Sequence, residues 1–127
     1  MTKGPQSARA ARGRAAHASG LRAEGIAALL LRLKFYRIVG RRVKTRLGEI
    51  DLIARRGRTL VFVEVKARGD FTLAAEALQS RQQARLARAA ELFVAGRPEY
   101  AHFDMRFDVV LVTPRRMPHH LRDAWHP

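Results

Sequence analysis

The chain has 127 residues, 47% of them hydrophobic, with a formal net charge of +14 and no cysteine. That length suits a single core. The absence of cysteine excludes disulfides and thiolate metal sites, and no apolar run approaches the ~18 residues of a membrane span, so a soluble protein that favours a polyanionic partner through counterion release is expected.

Residues 1–19 carry Lys3, Arg9, Arg12 and Arg14 and no acid, amid Ala, Gly and Ser. This is the composition of a disordered basic arm, without the apolar core of a secretory signal. Residues 20–127 form the expected domain. Ser19 can cap a helix from about Gly20 to Lys34, with Ile26, Leu29, Leu30 and Leu33 as its expected buried stripe. Glu24 falls on the small-residue side of this helix, near Ala27 and Ala28. On spacing alone it is a favourable charge in the first turns.

Arg41, Arg42, Lys44 and Arg46 then lead into Gly48-Glu49-Ile50-Asp51-Leu52-Ile53-Ala54, which is followed by Leu60-Val61-Phe62-Val63-Glu64-Val65-Lys66. Both segments alternate with period 2, so Glu49 and Asp51 share one face and Glu64 and Lys66 share another. Between them Arg55-Arg56-Gly57-Arg58 suits a hairpin with Gly57 first in a type II′ turn. That register opposes Asp51 to Glu64 and Glu49 to Lys66. A turn centred on Arg56-Gly57 shifts the pairing by two and keeps the acids on the same face. Like charges opposed in a sheet destabilise it unless something neutralises them. A divalent cation with hard oxygen ligands would do so, favouring magnesium, manganese or calcium over zinc. The alternative is a solvated strand face, with Asp51 paired to one of the many arginines.

A long helix is expected from about Leu73 to Ala95, with Leu78, Leu86, Ala89, Ala90, Leu92 and Phe93 as core contacts and Ser80, Arg81, Gln82, Gln83 and Arg85 as polar positions. A last strand runs from about Met105 to Thr113 and carries Asp108 on the face of Arg106 and Val110, as a structural acid pairing with an arginine. Pro114 ends it. The histidines fit no zinc pattern, and the aromatic residues are expected in the core. Arg41, Arg42, Lys44, Arg46 and Arg68 flank the acidic hairpin as candidate nucleic-acid contacts. The chain has only four lysines, and Lys66 stands two residues after Glu64 on the same face.

The run Asp51…Glu64-Val65-Lys66 resembles the PD-(D/E)xK nuclease superfamily, and within it the small bacterial YraN-like family, predicted endonucleases similar to archaeal Holliday junction resolvases. The likeness rests on Gly20–Leu31 with Glu24, Gly48–Ile53, Val61–Arg68 and Arg106–Val110, with a weaker echo at His120–Trp125. It implies an α/β fold, a restriction endonuclease-like mixed β-sheet flanked by helices. It also implies a magnesium or manganese site on Asp51, Glu64 and the carbonyl of Val65, with Glu24 completing that site or a second one. Lys66 would position the attacking water. Gln82 stands where YraN-like proteins usually offer a lysine, and a water-positioning amide and a solvated side chain both remain open for it. DNA as partner, with branched or junction DNA as the expected substrate, a homodimer and the bacterial cytoplasm follow from the same resemblance. A non-catalytic nucleic-acid-binding protein with this fold and a basic RNA-associated protein are the competing readings.

Overall fold

The computed structural model describes residues 20–67 and 80–127. Helix α1 is described over residues 20–33. It is followed by strands β1 (Arg37–Thr45), β2 (Gly48–Arg56) and β3 (Thr59–Ala67), helix α2 (Ser80–Ala95), a short 3-10 turn (Pro98–Tyr100), and strands β4 (Asp104–Val112) and β5 (His119–Leu121). The expected basic arm, Arg68 and the first part of the expected Leu73–Ala95 helix lie outside the described residues.

The five strands form one sheet in the order β1-β2-β3-β4-β5. All neighbours are antiparallel except β3 and β4, and a parallel pair needs a crossover connection. The chain between them carries α2. One face of the sheet, with Leu52, Ala54, Val61, Val63, Val110 and Val112, packs on α1. The other, with Ile53, Leu60, Phe62, Phe107, Val109 and Leu111, packs on α2 and Trp125. This is an α/β fold with a mixed sheet flanked by helices, consistent with a restriction endonuclease-like arrangement.

Two local readings are corrected. Helix α1 buries Ala23, Ala27, Ala28 and Leu31, while Ile26, Leu29 and Leu33 of the expected stripe stay 43%, 56% and 70% exposed. Alanines recurring every four residues let the helix lie close on the valine face of the sheet; hydrophobicity alone favoured the larger side chains. The basic segment before the acidic strand is itself strand β1. Its pattern is obscured by a bulge at Val39, where the register with β2 shifts between Ile38 and Gly40.

A buried polar network fastens the far side of the sheet. Asp108 is fully buried on the α1 face. Its Oδ1 accepts from Arg106 Nε (2.9 Å) and from the Asp123 backbone N–H (2.9 Å), and its Oδ2 accepts from Arg106 Nη2 (2.8 Å). His120 Nε2 lies 2.6 Å from the same Oδ2, and Lys34 Nζ lies 2.7 Å from His120 Nδ1. A lysine ammonium only donates, so Nδ1 accepts and Nε2 carries the proton given to Asp108. Arg106 also donates to Tyr36 Oη at 2.6 Å. The network thereby ties the end of α1, β4, β5 and the carboxy-terminal turn together. Burial by itself would raise the Asp108 carboxyl, but the hydrogen bonds from His120, Arg106 and Asp123 outweigh it and hold the group at about 2.

Because truncation leaves a half-buried arginine and a histidine without their acceptor, Asp108→Ala is expected to destabilise the fold by about 3–5 kcal/mol at pH 7, measured as the shift of the urea midpoint. The depressed folded pKa makes the carboxylate's contribution complete above the unfolded value near ~4 and lost as pH falls towards 2. The difference between wild type and Asp108→Asn should therefore shrink across that window.

Candidate active site

The β2–β3 hairpin has the expected register, pairing Arg56 with Thr59 through to Leu52 with Val63. Gly57 takes φ +62° and is the sole positive-φ residue of the two-residue turn, as type II′ requires. Continuing this register opposes Asp51 to Glu64, but the regular ladder ends at Leu52 and Val63. Beyond it, the Val65 N–H donates to Asp51 Oδ2 at 2.9 Å. A side-chain carboxylate has taken the place of a backbone acceptor, and the two strands part there.

Alternation along β2 also breaks at Asp51. Leu52 and Ala54 face α1 and Ile53 faces α2, yet Ile50 joins the α2 core as well. Facing this break on β1, between the pairs Arg41–Leu52 and Val43–Ile50, stands Arg42 with φ +51°. For a non-glycine residue that backbone conformation costs about 1–2 kcal/mol. Strict period 2, which grouped Glu49 with Asp51 by counting, does not hold through this point.

Around the parted strands the acids of three elements meet. Glu24 of α1 is 8% exposed, and its Oε1 is buried without a hydrogen-bond partner. Burial raises its pKa, and the charges of Asp51 and Glu49 add to that while Arg42 and Arg41 oppose it. Burial, then the charge and hydrogen bond of Glu64, push Asp51 up to about 7, although the Val65 N–H and Lys66 pull the other way. Lys66 Nζ lies 3.1 Å from Glu64 Oε1. Arg42 Nε lies 3.3 Å from Glu49 Oε1 and 3.8 Å from Glu24 Oε2.

Helix α2 closes the other side. Gln82 and Arg85 line a small cleft with Glu49 and Glu64. The stem of Arg85 lies over Gly48, whose φ is +147°, and a Cβ there would come within 3.2 Å of Arg85 Cδ. Gln82 thus faces the acid cluster from the helix.

The basic residues divide. Arg42 is engaged with the acids, and exposed Arg41 reaches towards Gly25 of α1. Lys44 and Arg46 are exposed along a separate groove between the end of β1 and Arg97. Arg68 lies outside the described residues. Glu49 and Arg85 join the site although neither stood out as a site residue from its position in the chain. Glu49 is brought in by the break in alternation at Asp51 and Arg85 by how α2 crosses the hairpin, neither of which a periodic count shows.

Oxygen donors from Asp51 and Glu64 suit a hard divalent cation. Backbone N–H and C=O of one strand residue point to the same neighbour, so the Val65 carbonyl is directed to the edge where its N–H meets Asp51. Among the described residues no three His, Asp or Glu side chains form a metal cage. Two carboxylates and a backbone oxygen, with water for the rest, would make a partial shell of the kind that Mg²⁺ commonly accepts. The unpartnered Glu24 Oε1 and the raised Asp51 mark a cluster with less positive charge than its carboxylates call for.

The chain is similar to proteins of one bacterial family. The sequence model of the uncharacterised protein family UPF0102 matches residues 23–112, a span that includes Glu24, Asp51, Glu64, Lys66 and Gln82. A UPF0102 protein of Parvibaculum lavamentivorans is 62% identical over 117 residues, covering 92% of this chain and 88% of that protein. One from Methylorubrum extorquens is 52% identical over 115 residues, covering 91% and 90%. One from Rhodopseudomonas palustris strain BisB5 is 45% identical over 124 residues, covering 98% and 95%.

An acid whose folded pKa is raised contributes stability that is complete below the unfolded value and lost as pH rises through the folded one. Without divalent cations, melting temperature should accordingly fall between about pH 4 and pH 7, and Asp51→Asn should flatten that fall and be the more stable protein at pH 8. Adding magnesium at pH 8 should raise the melting temperature of the wild type and leave Asp51→Asn unmoved. Differential scanning fluorimetry across pH measures both effects.

Proposed function

We propose that this chain, which belongs to the UPF0102 family, is a metal-dependent DNA endonuclease of the PD-(D/E)xK type, acting in the bacterial cytoplasm on branched or junction DNA. The observation that carries the reading is the Asp51–Glu64 carboxyl pair at the parted end of the hairpin, with the Lys66 ammonium 3.1 Å from Glu64. Desolvated like charges beside a lysine are the arrangement in which perturbed pKa values mark chemistry. The +14 charge supplies the affinity for a polyanion.

In this reading Asp51, Glu64 and the Val65 carbonyl hold magnesium or manganese, and Glu24 stands beside them. Bound there, the cation supplies Lewis-acid stabilisation of a phosphoryl oxygen and lowers the pKa of water. Lys66 donates to the attacking water or to a non-bridging oxygen as negative charge builds on phosphorus. Gln82, across the cleft, orients the same water through its amide. Arg42 acts on the charge of Glu49 and Glu24, while Arg41, Lys44 and Arg46 meet the DNA backbone. A homodimer would place two such sites on two strands, and the apolar surface left by Ile26, Leu29, Leu33 and Phe35 supports self-association.

The ion pairs of the site favour a second reading. Lys66–Glu64 and Arg42–Glu49 offset part of the acidic charge without any cation. That suits a nucleic-acid-binding protein that keeps the fold and has no catalysis.

The test is cleavage of labelled linear, flapped and four-way DNA with magnesium or manganese. Wild type should cut, most rapidly on branched substrates, and Asp51→Asn and Lys66→Ala should each lower the rate by about 10²-fold or more while binding persists. Salt-sensitive binding with no turnover by the wild type would decide for the non-catalytic reading.

A further inference from the structure

Near Glu24, on the α1 side, the described residues line an open-sided cavity of ≈ 680 Å³ at the ends of β3 and β4. It is lined on one side by Ala67, whose neighbour Lys66 faces the opposite side of the sheet, and on another by Ala23, the residue before Glu24. Ala67 pairs with Val112 in the parallel register, so the cavity opens beyond the carboxyl ends of two parallel strands, where open α/β sheets receive ligands. Ala23, Ile26 and Val112 make its lining largely apolar, and Arg22, Arg115 and Arg116 are exposed around it with no acid among the described lining residues. Thr113, also lining it, is 7% exposed, and its Oγ1 is buried without a hydrogen-bond partner. A buried hydroxyl left unpaired costs free energy that a ligand donor or acceptor would recover.

From this geometry we infer that the cavity receives one unpaired nucleotide of the DNA, on the Glu24 side of the site and across the end of β3 from the phosphate at Lys66. The base lies on the apolar lining and bonds Thr113 Oγ1, and its flanking phosphates meet Arg22 and Arg116. The volume is that of a small-molecule pocket, too small for a duplex. An apolar floor beside three exposed arginines complements a base attached to phosphates. The inference deepens the nuclease reading and rests on it. It names what the site recognises, a single-stranded nucleotide at a branch or end, where recognition of a base requires it to be unstacked.

Binding is measured by fluorescence anisotropy in EDTA, so that the outcome does not depend on cleavage. The probes are a blunt duplex, the same duplex with a single-stranded extension, and that extension made abasic near the junction. Wild type should prefer the extended probe about tenfold and lose the preference on the abasic one. Arg22→Ala with Arg116→Ala should abolish the preference and reduce the salt dependence of log K by about 0.7 for each phosphate that the protein no longer neutralises. Thr113→Val, nearly isosteric, should weaken the extended probe alone. Arg58→Ala with Arg88→Ala, removing equal charge elsewhere, should weaken both probes alike. Equal binding of the three probes by wild type would overturn the inference. So would pocket variants that behave like the Arg58/Arg88 control, or pocket variants that change self-association and not DNA affinity, which would assign the cavity to a second copy. A protein that cuts but shows no pocket effect retains the nuclease reading. One that shows the pocket effect and never cuts loses only that reading.

Discussion

The structure turns on one substitution of partners: the Asp51 carboxylate, and not a backbone carbonyl, receives the Val65 N–H at 2.9 Å. In a regular antiparallel ladder those groups would pair main chain to main chain. Using a side chain instead parts β2 from β3 just where Glu64 stands, and leaves Asp51 crowded between Glu64 and the charge of Glu24. The break in alternation at Asp51 and the left-handed backbone at Arg42 occur at the same level of the sheet. Strained backbone persists only where its surroundings over-determine it. Here Arg42 is held by the acids that it helps to neutralise.

Asp108, buried, and Asp51, half-buried, show how differently one fold treats the same group. Asp108 receives hydrogen bonds from Arg106, His120 and a backbone N–H, and lies well below the usual carboxylate range. Asp51 has a backbone N–H and the opposing pull of Lys66, but a second carboxyl at hydrogen-bond range, and is pushed up to about 7. The first is a matched network that fixes β4, β5 and the chain end against α1. The second is an unmatched cluster at the opening between strands. Stability is served by the first arrangement, and a ligand of positive charge by the second.

Much of this was legible in the residues. The period-2 runs on either side of Gly57 specify the hairpin and leave two registers, of which the structure has the one with glycine first in a type II′ turn. Arg106 two residues before Asp108 in a strand specifies their ion pair, since side chains at that spacing share a face. Other features were not accessible. The buried face of α1 is set by how close the valine sheet allows a helix, so alanines win over the leucines that hydrophobicity prefers. Strand β1 was concealed by its arginines and by the bulge at Val39. The place of His120 in the Asp108 network was not accessible, because nothing local shows that Lys34, 86 residues earlier in the chain, meets its ring. Asp51's break in phase comes from parting strands, which no periodic count contains.

On this account the Asp51–Glu64 cluster is built to take up a divalent cation in exchange for a proton. Isothermal titration of magnesium at pH 6.5, repeated in two buffers of different ionisation enthalpy, reads that exchange directly. With Asp51 at about 7, binding should release most of one proton per site, because a ligand carboxylate must be ionised. Binding without proton release, or no binding at all, would contradict the account.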